Sequence, residues 1–328
     1  MKTLIKLANS SKIEGIGGFI LFEGNAARAT DVTMHAVIES GPWNFDCATL
    51  VSVQQIKTAM AISKKHVWSG DTLNGIKLVS AGTTDWPELP AFAGKRIKVD
   101  PVKLAASLAQ CAPAMADNDV RYYLNGMCFD HDAKAIVGCD GHRLHIVKSA
   151  YDTDLTGQAI VPRDALDVVG VKNILHMDFT DTHVRIGYVG GYLITRLCEG
   201  KFPDYSRVFP HVSDRAYTRP FNSVQCDAVK TMVAINKANK SKYGTIAIDA
   251  NGSIVAHDVT LPCFEQFNIN LDKWPDGSLK GQDYLCINAK YLHDAMVSAG
   301  NGEIRANGPN DSLLIINGDF SAVVMPCR

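Results

Sequence analysis

From Thr245 to Val259 the chain reads TIAIDANGSIVAHDV, with apolar and polar positions alternating on either side of Asn251-Gly252. A period of two predicts two strands, each with one buried face, and Asn-Gly supplies the positive φ angles of a two-residue turn. HVRIGYVGGYLITRL (His183–Leu197) repeats this pattern with its turn at Gly190-Gly191, and IRANGPNDSLLIINGDFSAVVMP (Ile304–Pro326) predicts three strands. Between these meanders the period lengthens. Leu104, Leu108 and Cys111 fall on one stripe, as do Val229, Met232 and Val233, predicting helices of about three turns with a single buried face.

One phrase recurs: a β-branched residue closing a strand, a capping-type residue or proline, then a short helix. It appears as VDPVKL, VPRDAL, VQCDAV and INAKYL, starting at Val99, Val161, Val224 and Ile287, so the starts differ by 62, 63 and 63 residues. A looser copy, VSVQQI, begins at Val51. Asp100-Pro101 places a capping carboxylate before proline at the first helical position, and Pro162 or Asn288 can serve similarly. The unit is strand, helix, antiparallel meander. One helix cannot cover a meander's apolar face, so two units pair into one domain. This predicts an α+β chain of three similar domains, Met1–Arg96, Ile97–Pro210 and His211–Arg328, each with two short helices on antiparallel sheet. Within VRYYLNGMCFDHDAKAIVGCDGHRLHIV (Val120–Val147), Leu124–Phe129 and Ala135–Val147 read as neighbouring strands joined at Asp130–Lys134. Asn125-Gly126 and Asp140-Gly141 have the composition of turns, but their apolar flanks favour strand positions with local distortion.

Composition narrows the function classes. The 328 residues are 46% hydrophobic and 20% charged with a formal net charge of -1, so no global field announces nucleic acid or membrane, and a DNA binder would have to segregate its positive charge onto one surface. Nine cysteines are scattered singly without a C-x-x-C pair, as expected of reduced thiols in a cytoplasmic protein, and no run approaches the roughly 18 apolar residues of a membrane span. Asp140, His142 and His145 have residue types suited to acid–base work, but the chain has no HExxH, GxSxG or P-loop pattern to accompany them. Cys139, His142 and His145 lack the second ligand pair of a zinc site. The expectation is a protein with no cofactor, no metal and no enzymatic activity.

VRYYLNGM, CDGHRL, EGKFPDYSRVFP (Glu199–Pro210) and the terminal VVMPCR resemble, in the same order, motifs of the bacterial DNA polymerase III β subunit family, the sliding clamps. The resemblance extends over nearly the whole chain. It implies the DNA-clamp fold, three similarly folded domains per chain, and two chains closed head to tail into a ring around duplex DNA. It also implies a shallow apolar groove that takes short linear motifs of DNA polymerase, clamp-loader subunits and other partners. Carried over by position, Leu124, Gly141, His142, Arg143, Leu144, Pro203, Arg207, Val208, Val323, Val324, Met325 and Pro326 line that groove, with Asn288, Tyr291 and Ser312 at its rim. Aliphatic side chains and methionine would form an adaptable cavity, and Arg143, Arg207 and His142 would offer donors to the bound peptide.

The resemblance further implies sequence-independent contacts between duplex phosphates and helices bearing Lys and Arg. Val53–Lys65 carries Lys57, Lys64 and Lys65; Cys226–Lys242 carries Lys230, Lys237, Lys240 and Lys242; Lys103 and Arg163 lie on helices closer to neutral, and Tyr122 and Tyr123 fall near the DNA. NGIKLVSAGTTDWP (Asn74–Pro87) aligns with the family's edge strand, which would set Ile76 and Leu78 against Val233 and Ile235 of a second copy, although core packing within one chain explains the same alternation. The chain departs from the family in a shortened amino terminus, where TLIKLANSS aligns with the first helix, and at Cys139, His145 and Cys327, changes expected to retune the groove; its compactness suggests a phage or mobile-element source. Two other readings stand beside the clamp: a clamp-derived adaptor or decoy that binds motif peptides without encircling DNA, and, more distantly, a hydrolase using Asp140 and His142.

Overall fold

A computed structural model describes residues 1–82, 86–210, 217–249, 252–264, 284–306 and 311–327. The chain forms two compact units, one of Met1–Ala106, Tyr151–Leu155 and Ala159–Glu199, the other of Ser107–Ala150, Thr156–Gln158 and Gly200–Arg328.

Six α-helices occur among the described residues: α1 (Lys2–Ser10), α2 (Val53–Ala61), α3 (Pro101–Cys111), α4 (Arg163–Val169), α5 (Ser223–Ala238) and α6 (Ala289–Ala299). Two fall in each predicted domain. Their starts follow capping chemistry. Ser52 Oγ accepts the Gln55 N–H at 3.2 Å, Asp100 Oδ1 accepts those of Val102 and Lys103 at 2.9 and 3.1 Å, and Asn288 Oδ1 accepts that of Tyr291 at 3.1 Å. At α5 the cap is reciprocal. Asn222 Oδ1 accepts the Val224 N–H while Gln225 Oε1 accepts the N–H of Asn222. Val224 therefore sits inside the helix, and the strand before it, Tyr217–Phe221, closes earlier than the recurring phrase predicts. The helices also end sooner than expected: α2 stops at Ala61 rather than Lys65, and α5 at Ala238 rather than Lys242.

The first unit holds an eight-stranded antiparallel sheet in the order Phe45–Ser52, Phe19–Gly24, Ala26–Thr30, Met34–Ile38, Gly191–Arg196, His183–Tyr188, Ile174–Phe179 and Lys95–Arg96. Helix α1 buries Leu4, Leu7 and Ala8 against it. The buried Asp178 carboxylate is held between Arg96 at 2.6 Å and Arg185 at 2.8 Å. The second unit carries the consecutive strands Gly126–Asp130, Ala135–Cys139, Arg143–Val147, Phe320–Val324, Leu313–Asn317, Gly302–Ala306 and Tyr217–Phe221. A smaller sheet in the same unit runs Val259–Pro262, Ser253–Ala256, Thr245–Asp249, Tyr284–Asn288. In both large sheets a meander from one predicted domain pairs edge to edge with a meander from the next. Gly191↔Ile38 through Thr195↔Met34 make one joint, and Arg143↔Val324 through Val147↔Phe320 make the other.

Several local expectations need correction. Ala135–Val147 is not one strand but a hairpin turning at Asp140–His142, where Gly141 has φ +86° and the Asp140 N–H bonds to the Arg143 carbonyl. The left-handed backbone at Gly141 outweighs the apolar flanks. Leu124 ends a short 3-10 turn, Tyr122–Leu124, rather than opening a strand. The Gly190-Gly191 hairpin is displaced by one residue. Tyr188 pairs with Gly191, so Val189 and Gly190 make the turn, and Gly191 is the first residue of its strand. The hairpin predicted at Asn251-Gly252 pairs Ile248 with Ile254; Gly252 has φ +81°, and Asn251 lies outside the described residues.

Gly191 explains its own identity. A Cβ there would stand 2.0 Å from the Val37 carbonyl oxygen across the first joint. Gly191→Ala should therefore open that joint and lower the unfolding free energy by about 2 kcal/mol. Urea denaturation followed by circular dichroism measures this, and an unchanged midpoint would refute the close approach.

Candidate functional site

At the carboxyl edge of the second unit, three stretches far apart in sequence meet. The turn after Ala135–Cys139 presents His142; the cap of α6 presents Asn288 and Tyr291; the residues after Phe320–Val324 present Met325, Pro326 and Cys327. With Lys242, Tyr243 and Thr245 they line an open cavity of about 640 Å³. Of the groove residues named from sequence, His142, Asn288, Tyr291, Met325 and Pro326 are thus brought together. Lys242, Tyr243 and Thr245 were missed, while Cys327, expected to retune the groove, lines it as well. The signal for the first three lies in the strand pairing, because Thr245 pairs with Asn288 across the small sheet.

The wall is built from stacked rings. The His142 and Tyr291 rings lie 6.3 Å apart and nearly parallel, and the Arg143 guanidinium sits 4.3 Å from the Tyr291 centroid on a cation–π contact. The main chain secures the tail. Met325 donates its N–H to the His142 carbonyl at 2.9 Å, and the Cys327 N–H bonds to the Cys286 carbonyl at 2.9 Å. Asn288 is tied on both sides, since Oδ1 caps α6 and Nδ2 donates to the Tyr243 carbonyl at 2.8 Å. These bonds fix its place in the cavity wall.

Arg143 has a role that sequence reasoning did not assign. Its side chain is 7% exposed and bound on two sides, by Asp140 Oδ2 at 3.0 Å and by Asp294 Oδ2 at 2.6 Å, which also takes the Lys290 ammonium at 2.6 Å. Burial pushes the Asp294 carboxyl upward, but hydrogen bonds from Lys290 and Arg143 outweigh it and hold the group below the usual carboxylate range. Asp140 is equally committed: its Oδ1 accepts the N–H groups of His142 and Arg143, each at 2.9 Å. A carboxylate engaged in turn formation and an ion pair does not orient the His142 imidazole, which removes the geometric basis of the hydrolase reading.

Beneath this brace lies His145, wholly buried, with Nδ1 on the Gln110 carbonyl at 2.8 Å, its ring edge-on to Phe320, and Nε2 without a hydrogen-bond partner among the described residues. Burial lowers its pKa to about 4, the Gln110 carbonyl opposes that shift, and the nearby Arg143 charge adds to it.

The remaining predicted groove residues are distributed differently. Leu124, Leu144, Val323 and Val324 are core, at 1%, 2%, 1% and 0% exposure. Gly141 is exposed beneath the Arg121 guanidinium, Ser312 is half-buried, and Pro203, Arg207 and Val208 are exposed on or beside the 3-10 turn Tyr205–Val208, where Arg207 pairs with Asp204 at 2.9 Å.

The predicted DNA contacts occupy both units. In the first, Lys57 and Lys103 are exposed on α2 and α3, Lys64 and Lys65 are exposed beyond the end of α2, and Arg163 is half-buried and paired with Asp167 at 3.5 Å. In the second, Lys230 and Lys237 are exposed on α5, Lys240 lies past its end, Tyr122 is exposed with its ring edge-on to that of half-buried Tyr123, and Lys242 stands 5.0 Å from the Tyr243 ring. For the predicted interface, Ile76 is half-buried on the edge strand Ile76–Lys77. Leu78 is a core residue of its own unit at 2% exposure, and Val233 and Ile235 are half-buried on α5. Among the described residues no group of three or more His, Cys, Asp and Glu is placed to hold a metal ion, and no helix is long and apolar enough to cross a membrane.

The chain is similar in sequence and fold to known proteins. The family model of the DNA polymerase III beta subunit, central domain, covers residues 98–204. The beta sliding clamps of Pseudomonas aeruginosa and Vibrio cholerae are each 27% identical to the chain, over 279 and 273 residues; the matches cover 76% of this chain and 73% and 70% of theirs. The crystal structure of the DNA polymerase III subunit beta from Pseudomonas aeruginosa superposes with a TM-score of 0.75 at 22% identity, over 100% of this chain and 97% of that one.

Two outcomes test the site. Asp294→Asn leaves the buried Arg143 with one carboxylate and should destabilise the second unit by about 2–4 kcal/mol in urea titration; a change under about 0.5 kcal/mol would show that the brace is not a buried pair. For His145 the folded pKa lies below the unfolded value of 6.5, so the unfolded chain binds more protons between pH 6.5 and 4. Its contribution is present above pH 6.5 and lost as pH falls toward 4, on the order of 3 kcal/mol. His145→Gln should flatten the stability profile in that window, and an unaltered slope would exclude His145 as its source.

Proposed function

Since the chain belongs to the DNA polymerase III beta subunit family, we propose that it works as a sliding clamp, a processivity factor that encircles duplex DNA and docks DNA polymerase and other partners without catalysing a reaction itself. The observation that carries the reading is the cavity of the second unit: residues of three motifs, the DGHRL turn, the INAKYL helix cap and the VVMPC tail, converge on one recess. Tyr291, Tyr243, Met325 and Pro326 offer the apolar faces that an aliphatic or aromatic anchor needs, and His142 and Lys242 offer polar contacts at the rim. Methionine adapts to differing anchors, as suits a site used by several partners in turn. Arg143 supports the groove from behind by holding Tyr291 and the turn, not by reaching the peptide.

In this reading two copies close head to tail, and each copy contributes three domains, 1–96, 97–210 and 211–328. The edge strand at Ile76 would meet α5 residues Val233 and Ile235 of the other copy. Lys57, Lys64, Lys65, Lys103, Arg163, Lys230, Lys237 and Lys240 would face phosphates loosely, with Tyr122 and Tyr123 at the rim. Topology rather than contact energy keeps such a ring on DNA, so a net charge of -1 is no obstacle. The work would be done in the cytoplasm, after placement on DNA by an ATP-driven loader.

Two measurements test it. After loading, the protein should stay on nicked circular duplex through a high-salt wash and run off once the circle is linearised; equal loss from both would leave only the adaptor reading. Tyr291→Ala with Met325→Ala should weaken a fluorescent clamp-motif peptide by at least about tenfold, the equivalent of about 1.4 kcal/mol. Unchanged affinity would remove the cavity from the docking role.

A further inference from the structure

Two of the nine cysteines are paired by the fold. Pro326 bridges Ile287 in antiparallel register, and the Cys327 N–H donates to the Cys286 carbonyl at 2.9 Å. One step along that register, 287 and 326 become 286 and 327, so the two cysteines stand directly opposite each other. Opposed residues of an antiparallel pair carry their side chains on the same face. Opposed residues that share a hydrogen bond have Cα atoms about 5.5 Å apart, inside the roughly 4.4–6.8 Å range that a disulfide spans. Both thiols are free and half-buried, neither sealed in the core like Cys111 and Cys128 nor isolated on the surface like Cys47. Burial, and then the neighbouring Cys327, raise the Cys286 thiol, a sign that the two sulfurs sense one another. Cys327 also lines the cavity beside Met325 and Pro326.

We infer that Cys286 and Cys327 form a reversible disulfide that staples the tail to the small sheet and thereby regulates peptide docking in the adjoining cavity. The regulatory half rests on the docking role proposed above; the bond itself does not. The oxidant is a low-molecular-weight disulfide such as glutathione disulfide. Cys327, on the cavity wall, loses its proton and attacks one sulfur of that disulfide, releasing one glutathione thiolate and forming a mixed disulfide. The Cys286 thiolate then attacks the Cys327 sulfur and expels the second glutathione. Two protein thiols are oxidised, one glutathione disulfide is reduced to two thiols, and the two protons pass to the released glutathiones. The staple would add a covalent tie to the backbone bonds that already hold Met325 and Cys327, leaving less freedom for a docking peptide to freeze. Binding to the oxidised form should therefore be tighter, through slower dissociation.

The test equilibrates the full chain in defined mixtures of reduced and oxidised glutathione, traps the thiols with an alkylating reagent, and maps cross-links by proteolysis and mass spectrometry. A Cys286–Cys327 link that forms reversibly, disappears in Cys286→Ser and in Cys327→Ser, and slows dissociation of a fluorescent clamp-motif peptide by about three- to tenfold supports the inference. Failure of the link to form under fully oxidised glutathione, or links only at other cysteines, overturns it. A link that leaves peptide dissociation unchanged overturns its regulatory half. If the reduced protein binds no motif peptide at all, the docking role fails instead, and the cross-link map still decides whether the pair exists.

Discussion

The interaction on which the architecture depends is backbone pairing between meanders that are remote in sequence. Arg143–Val147 finds Phe320–Val324, and Met34–Ile38 finds Gly191–Arg196. Each joint turns what would be exposed strand edges into the middle of a long sheet, satisfying rows of N–H and C=O groups that would otherwise invite pairing with another molecule. Because the joints run through the predicted domain boundaries, the middle stretch of the chain is shared between both compact units. The cavity follows from the second joint: only when Val324 pairs with Arg143 do His142 and Met325 become neighbours.

The charged brace makes that placement exact in a different way. A guanidinium at 7% exposure needs its charge matched, and Asp140 and Asp294 do so from the turn and from α6. One buried cation thereby ties the hairpin, the helix and Tyr291 together. The question raised by an aspartate, a histidine and an arginine in four consecutive residues has a structural answer. The aspartate makes the turn, the arginine locks it to a helix, and the histidine is left on the cavity wall.

Much of this was legible in the sequence because it is local. Caps at Ser52, Asp100 and Asn288 and the period-two strands depend on neighbours within a few residues, and the structure contains them. What was illegible depends on distant partners or on backbone sign. The composition of Asp140-Gly141 indicated a turn, but only the positive φ of Gly141 decides it against the apolar flanks. Gly191 looked like a turn glycine, whereas the approach of the Val37 carbonyl from another meander is what requires it. Arg143 looked like a ligand donor because nothing nearby in sequence announces Asp294, 151 residues on. Tyr243 and Thr245 passed unnoticed because their relevance comes from pairing with Asn288 across the small sheet.

The strand Phe320–Val324 lies between Arg143–Val147 and Leu313–Asn317 and is the last in sequence order among the described residues. The centre of its sheet is therefore filled by a strand that follows both of its neighbours in sequence. Until it pairs, the strands on either side present open edges. Closing the sheet requires contacts spanning slightly more than half of the 328 residues, an arrangement that slows folding. The recess beside Met325 thus forms only once that long-range pairing is made.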